Sequence, residues 1–197
     1  MKSRISQLLE EIREREEELE DMIKTHEVEF LYRLEGTKIK FEKAVEQAHR
    51  KLKIGIIHWL RKSNPFNVLS APVIYAMIFP FMLLDLTISI YQLICFSLYN
   101  IQKVDRKKYI VIDRQNLSYL NSIEKLNCMY CGYVNGLISY SCEIVARTEQ
   151  YWCPIKHAKK VLGLHRRYAY FSDFGDATDH YKHLIKMRDL LPKAVNK

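Results

Sequence analysis

The sequence lacks the motifs by which several common enzyme classes are recognised. It has no glycine-rich phosphate loop, no nucleophile elbow and no H-E-x-x-H zinc motif. The five cysteines are odd in number and include a C-x2-C pair, which argues against a secreted disulfide framework. The N-terminus, MKSRISQLLEEIREREEELED, is acidic and helix-prone, so it does not have the pattern of a signal peptide.

Charge is almost absent from one long stretch of the chain. Between Pro65 and Gln102 the only charged residue is Asp85. Residues 66–84, FNVLSAPVIYAMIFPFMLL, are long enough to cross a bilayer. One straight helix over 70–100 would be about 46 Å long, however, which exceeds a hydrocarbon core of about 30 Å.

Basic residues flank this stretch on both sides, which predicts that both of its ends face the cytoplasm. They are Arg50, Lys51, Lys53, Arg61 and Lys62 before it, and Lys103, Arg106, Lys107 and Lys108 after it. We therefore expect a kinked helical hairpin, re-entrant or barely spanning, with Pro80–Asp85 near its tip. The alternatives are a single kinked span and a buried soluble hairpin. Because a carboxylate is costly in a bilayer, we expect Asp85 at the tip or beside a polar partner, with an ion or proton path as the alternative.

Residues 1–63 predict an amphipathic helical hairpin. Residues 1–35 form an acidic helix with a narrow apolar stripe, and residues 38–62 form a basic helix with a clear apolar face. Gly36 lies between them, so an antiparallel pair would bury both stripes and match the charges. A narrow stripe is also typical of a coiled coil, through which this region would bind a protein partner or self-associate.

The C-terminal part of the chain contains a pattern typical of metal ligands. Cys128 and Cys131 form the C-x2-C pair, and Cys153 and His157 follow, four residues apart. A turn permitted by Gly132 would let the two thiolates converge, giving a Cys3His knuckle suited to structural zinc. Two other interpretations stay open: buried reduced cysteines without metal, and an iron or iron–sulfur site.

The segments around this pattern are predicted to be helical. Asp113 begins a helix that runs to about Lys125. A second helix covers 133–151, on which Glu143 and Arg147 are spaced as an i,i+4 ion pair. Packing is the simplest role for the remaining cysteines, Cys95 and Cys142.

The same region resembles a known group of sequences. LNCMYCGYVNG, followed by EIVARTEQYWCPIKHA, is similar to an uncharacterised family of bacterial membrane-associated proteins. The resemblance extends upstream through APVIYAMIFPFMLLDL and YIVIDRQNLSYLN, and so covers roughly two thirds of the chain. It implies a shared architecture of membrane segment and cysteines, and it implies no particular activity.

Together these observations predict a mainly α protein with three consecutive domains: the hairpin 1–63, the membrane segment 64–102, and the metal-binding domain 103–197. The net charge of +8 favours an anionic partner, which we take to be lipid because no nucleic-acid motif is present. We expect an adaptor or scaffold stabilised by zinc and anchored in the inner (cytoplasmic) membrane, with both termini cytoplasmic.

The alternative function is a membrane-associated metal or redox enzyme. It would use the same cluster of Cys128, Cys131, Cys153 and His157, with Glu143 or Glu149 as the acid or base. Such an enzyme needs an open coordination position, which a site with four protein ligands does not offer.

Overall fold

The structure is a computed structural model of the 197-residue chain. It describes residues 11–12, 14–19, 21–22, 25, 32–35, 38–41 and 43–194. The fold is mainly helical, and the described residues between 11 and 25 are helical as well. The strands are β1 (Tyr32–Glu35) and β2 (Lys38–Phe41), and the helices are α1 (Lys43–Lys51), α2 (Ile56–Lys62), α3 (Pro65–Ala76), α4 (Ile78–Tyr91), α5 (Ser122–Trp152) and α6 (His180–Asp189).

The chain divides into two compact units. The first combines Met1–Ser63 with Ile112–Met129, and the second combines Asn64–Val111 with Tyr130–Lys197. The three domains predicted from the sequence are consecutive, whereas each unit joins two separate stretches of the chain.

The first unit contains a β-hairpin where we predicted helix. β1 and β2 pair antiparallel, with Tyr32 opposite Phe41. Their sequences, YRLE and KIKF, alternate apolar and polar residues, which is the period of a strand. The predicted helices 1–35 and 38–62 are therefore wrong at these two strands, and Gly36, the predicted break, lies outside the described residues.

Helix α5 begins with a capping box. The side-chain oxygen of Asn121 accepts hydrogen bonds from the backbone N–H groups of Ile123 and Glu124, each at 3.0 Å. The Glu124 carboxylate accepts in return from the Asn121 N–H at 2.9 Å. This reciprocal arrangement satisfies N–H groups that have no partner inside the helix. The helix that we predicted to begin at Asp113 therefore begins at Ser122.

One long, apolar, kinked helix dominates the second unit. It runs over 32 residues, Pro65–Phe96, with a mean hydropathy of 2.0 in its most apolar window, and is long and apolar enough to cross a membrane. It comprises α3, α4 and a turn of π-helix, Gln92–Phe96.

The kink in this helix lies at Met77, between α3 and α4. Pro80 stands in the first turn of α4 and has no N–H to donate to the carbonyl of Ala76, so the backbone ladder is interrupted there. The chain then continues as helix through Asp85. The hairpin predicted with its tip at Pro80–Asp85 is therefore wrong. The segment is one kinked helix, which is the conformation that our alternative of a single kinked span requires.

The apolar helix runs parallel to α5. Near the start of both, the rings of Tyr75 and Tyr130 meet edge to face at 5.9 Å. Towards the end of both, the hydroxyls of Tyr91 and Thr148 are 2.8 Å apart. Parallel neighbours require the connecting chain to run back along them. The segment 101–111, called here the returning segment, does so.

The core of the second unit lies where the end of the apolar helix, the returning segment and the second half of α5 meet. Its buried residues are Phe96, Ile101, Val104, Leu137, Tyr140, Ile144 and Leu191. The C-terminal residues join this core: the Gln102 N–H donates to the carbonyl of Pro192 at 2.8 Å. At the end of α5, the Arg188 guanidinium lies 4.4 Å from the centre of the Tyr151 ring.

Candidate functional site

The predicted metal ligands are spread along α5 and beyond its end. Cys131 lies within the helix, and Cys153 comes directly after its last residue. Because α5 has no interruption between them, these two residues are separated by about 33 Å at a rise of 1.5 Å per residue. Ligands of one tetrahedral zinc ion lie within about 4 Å of one another. Cys131 and Cys153 of one chain therefore cannot bind the same ion.

The other two predicted ligands, Cys128 and His157, do not form a metal site either. Cys128 is half-buried on α5, and His157 is exposed in the loop after the helix. The His157 ring stacks on Tyr168, and its backbone N–H donates to the Tyr168 hydroxyl. In the part of the chain that the structure describes, no group of three or more His, Cys, Asp or Glu residues could hold a metal ion.

The Cys3His knuckle is therefore not formed, because the residues after Cys131 continue a helix and make no turn. Binding of zinc, or of iron as its alternative, stays a prediction for this chain. These four residues are not its joint ligands.

The glycines after Cys131 have a packing role. A Cβ placed on Gly136 would lie 2.5 Å from the Tyr109 carbonyl oxygen and 2.8 Å from the Ile110 Cα. A Cβ on Gly132 would lie 3.1 Å from the Val111 carbonyl oxygen. The returning segment thus rests directly on the α5 backbone, and a G-x-x-x-G spacing allows such a close approach. Our prediction that Gly132 permits a turn at Cys128 and Cys131 is wrong, because Gly132 lies within α5.

The lone charge of the apolar helix is neutralised by the returning segment. The Arg106 Nη2 donates to the Asp85 Oδ2 at 2.6 Å, and the Arg106 Nε donates to the Asp85 Oδ1 at 3.2 Å. The Tyr133 hydroxyl, from α5, donates to the same Oδ2 at 3.0 Å. One carboxylate thus joins three segments, which confirms the expectation that Asp85 has a polar partner.

A second polar contact fixes the returning segment nearer the end of the apolar helix. The buried Gln92 side chain accepts from the Val104 N–H at 2.8 Å. Its amide nitrogen donates to the Tyr140 hydroxyl of α5. A buried backbone N–H without a hydrogen-bond partner is energetically costly. Because the returning segment does not pair with a strand at Val104, Gln92 supplies the acceptor that this N–H needs.

Glu143, one of the two candidate acid or base residues, is the acceptor of two guanidinium groups. Arg147 and Arg167 each donate to its Oε1 at 2.8 Å. Burial alone would raise the pKa of the Glu143 carboxyl, but the hydrogen bonds from Arg167 and Arg147 outweigh it and hold this pKa below its ordinary value. Glu143 is therefore ionised at neutral pH and unsuited to donate a proton. The predicted i,i+4 pair with Arg147 is confirmed.

Glu149, the other candidate, pairs with a histidine from the following loop. Its Oε2 lies 2.8 Å from the His165 Nε2, and both side chains are partly buried. The His165 ring also packs edge to face against Tyr168 and Phe171. This pair therefore joins the loop to α5, in the same region where Arg167 reaches Glu143.

Sequence reasoning missed the residues that tie the returning segment down. Arg106 is visible in the sequence as a cation shortly after an apolar run with a single carboxylate, and pairing those two charges would have found the contact. The G-x-x-x-G spacing of Gly132 and Gly136 was also visible as a signal for close packing. Nothing in the sequence marks Gln92, because its partner in the returning segment is a backbone group.

No protein-family model, no curated protein and no solved structure matches this chain. The resemblance to an uncharacterised bacterial family therefore stays a prediction, and any function proposed for this chain rests on its own geometry.

Proposed function

We propose that this protein is a membrane-anchored adaptor or scaffold, with the apolar helix as its anchor. The observation that carries the proposal is the outward face of α4, where Leu83, Leu86 and Ile90 are 62%, 58% and 47% exposed. Exposed large apolar residues continue on both sides of these three, into α3 and to Leu98. A continuous apolar surface of this kind is typical of a membrane or protein interface.

The polar groups inside the second unit favour a scaffold over an enzyme. Asp85 is paired with Arg106, Gln92 with the Val104 backbone, and Glu143 with two guanidinium groups. Apart from the Glu143–Arg147 pair, which lies within α5, each of these contacts joins two separate segments, so these groups act on the fold. The alternative of a metal or redox enzyme depends on a cysteine–histidine cluster that does not converge.

The membrane that we propose is the inner membrane, contacted from the cytoplasm. Basic side chains that precede and follow the apolar helix are exposed: Arg61, Lys62, Lys103, Lys107 and Lys108. Attraction to anionic lipid is worth about 1 kcal/mol for each cation close to the surface. Both termini would then be cytoplasmic, as the flanking charges predict.

The adaptor half of the proposal rests on the N-terminal region. Its described apolar residues Ile12, Leu19 and Met22 are 53%, 57% and 56% exposed. They recur at steps of seven and three residues and so share one helix face, which is the spacing of a coiled-coil seam. A protein partner, or a second copy of the chain, would cover this stripe.

Fractionation of cells that produce the full chain tests the anchor. We expect the protein to sediment with membranes and to require detergent for extraction. Replacing Leu83, Leu86 and Ile90 together by Gln should increase the fraction recovered as soluble protein, because the middle of the exposed apolar face becomes polar.

The matched control replaces Ile138 and Val145 by Gln. These two residues of α5 are 48% and 54% exposed, similar to the three in α4. The control should stay with the membranes, since its apolar α4 face is intact. Recovery of the unmodified protein in the soluble fraction without detergent would contradict the proposal.

A further inference from the structure

Helix α4 has an exposed face and a packed face along its length. The outward face is exposed and apolar, and its large residues are Phe79, Met82, Leu83, Leu86, Ile90 and, one turn further, Leu93. The inward face packs through Phe81, Leu84 and Ile88 and carries Asp85. The polar contacts of this helix with other segments are thus confined to one side.

Several cations lie beside the middle of α4. Asp85 is near the centre of the helix, and its partner Arg106 begins a short 3-10 turn that also contains Lys107 and Lys108. The side chains of Lys107 and Lys108 are exposed. If α4 stood perpendicular to a bilayer, these charges would lie at the depth of the hydrocarbon core, where cationic side chains are strongly disfavoured.

The geometry points to a different orientation, and this inference rests on the proposed membrane anchor. We propose that α4 lies in the plane of the membrane, as in a monotopic protein. Its outward face would enter the boundary between headgroups and acyl chains, and the returning segment would stay on the aqueous side. A helix that lies in the membrane interface buries its exposed apolar face to a depth of about 5–10 Å. Both ends of α4 then lie at one face of the bilayer without any hairpin.

Measuring the depth of three positions tests this orientation. Phe79, Leu86 and Leu93 are spaced by seven residues along the outward face. Each would be replaced singly by Cys and spin-labelled, in the full chain with its five native cysteines changed to Ser. The protein would be bound to vesicles of phosphatidylcholine and phosphatidylglycerol, and the depth read from the relative collision rates with oxygen and a water-soluble nickel complex.

We expect the three labels to lie at the same shallow depth. A perpendicular helix would instead separate successive labels by about 10 Å along the membrane normal, given the rise of 1.5 Å per residue. Such a gradient in depth would contradict the in-plane orientation but not the membrane anchor. Failure of the unmodified protein to bind vesicles would overturn the anchor itself.

Two further measurements serve as controls for the depth experiment. A label at Val145, exposed on α5, should be accessible to the aqueous reagent, and burial of that label in lipid would contradict the in-plane orientation. If the cysteine replacements disturb folding, single tryptophan variants are used instead, in a chain whose Trp59 and Trp152 are changed to Phe. They are Phe79→Trp, Leu86→Trp and Leu93→Trp. Quenching of their fluorescence by lipids brominated at different depths should then peak at the same shallow position for all three.

Discussion

Asp85 and Arg106 form a two-point ion pair although they are 21 positions apart in the sequence. The Asp85 side chain is 16% exposed and the Arg106 side chain 47% exposed, so the carboxylate is the more strongly desolvated partner. A guanidinium matches both carboxylate oxygens at once, which a lysine ammonium cannot do. The pair therefore holds the returning segment at a fixed position along α4.

Replacing Arg106 by Gln should destabilise the protein more than replacing Asp85 by Asn. The first change leaves a desolvated carboxylate with only neutral hydroxyl partners, Tyr133 and Ser89, among the described side chains, whereas the second leaves a guanidinium that water can reach. For Arg106→Gln we expect the free energy of unfolding to fall by about 1–3 kcal/mol. The loss should lie towards the lower end of this range, because Arg106 is partly exposed to water. Chemical unfolding in detergent micelles, followed by circular dichroism, measures it.

The double variant provides the control for this prediction. Asp85→Asn combined with Arg106→Gln removes both charges, so it should be more stable than Arg106→Gln alone. Strictly additive losses in the double variant would show that the two side chains do not interact.

Replacing Gly136 by Ala should also destabilise the protein. The added methyl group would meet the backbone of Tyr109 and Ile110, which cannot move aside like a flexible side chain. Overpacking costs about 1–3 kcal/mol, and the gain in helix propensity of about 1 kcal/mol offsets only part of it. Thermal unfolding of the purified variant measures the net loss.

Variants at two other positions on α5 provide comparisons for the loss of stability in Gly136→Ala. Gly132→Ala meets a single carbonyl at 3.1 Å, so its loss should be smaller than that of Gly136→Ala. Ser139→Ala, on the exposed side of the helix, should be neutral or slightly stabilising. A Gly136→Ala variant as stable as the unmodified protein would contradict the close backbone packing.

Local patterns predicted some of the parts of the fold that depend on local interactions. The Glu143–Arg147 pair was readable because both residues stand on one helix, one turn apart. The β-hairpin also had a local signal, the period-two alternation of YRLE and KIKF. We missed it because these strands have only four residues each and are flanked by longer helical patterns.

The error at Cys131-Gly132 has a non-local cause. A glycine after a C-x2-C pair is compatible with a metal-binding turn and with a helix that another segment approaches closely. What decides between them is the returning segment, which the local sequence around Gly132 does not contain. The same holds for Asp85: beside Pro80 it resembled a hairpin tip, but Pro80 is tolerated in the first turn of α4 and the partner of Asp85 lies far along the chain.

The exposed cysteines offer a direct test of the corrected site. Cys131, Cys142 and Cys153 are all exposed, and only Cys142 was never predicted to bind metal. We expect all three to react with a maleimide reagent in the folded protein at similar rates, because none is held by an ion. Mass spectrometry of digested protein after timed labelling measures each rate.

A chelator supplies the control for the labelling experiment. If Cys131 and Cys153 bound zinc together, both would be protected relative to Cys142, and a chelator would remove the protection. We expect the chelator to change none of the three rates. Selective protection of Cys131 and Cys153 would restore the metal knuckle and contradict the uninterrupted α5.

Glu143 should make the protein sensitive to acid. The folded-state pKa of this carboxyl is lowered from its ordinary value of 4.5, so the folded protein holds the ionised form more strongly than the unfolded chain does. Its contribution to stability is complete above that ordinary value and is lost as the pH falls through the lower folded-state pKa. The unfolding temperature should therefore change little on this account above about pH 5 and decrease below about pH 4.

Glu143→Gln should be less stable at neutral pH and should show a shallower decrease in acid. Asp173→Asn, which removes a carboxylate whose side chain is 79% exposed, should follow the unmodified protein. Equal acid dependence in Glu143→Gln and the unmodified protein would show that the two guanidinium contacts do not stabilise the fold.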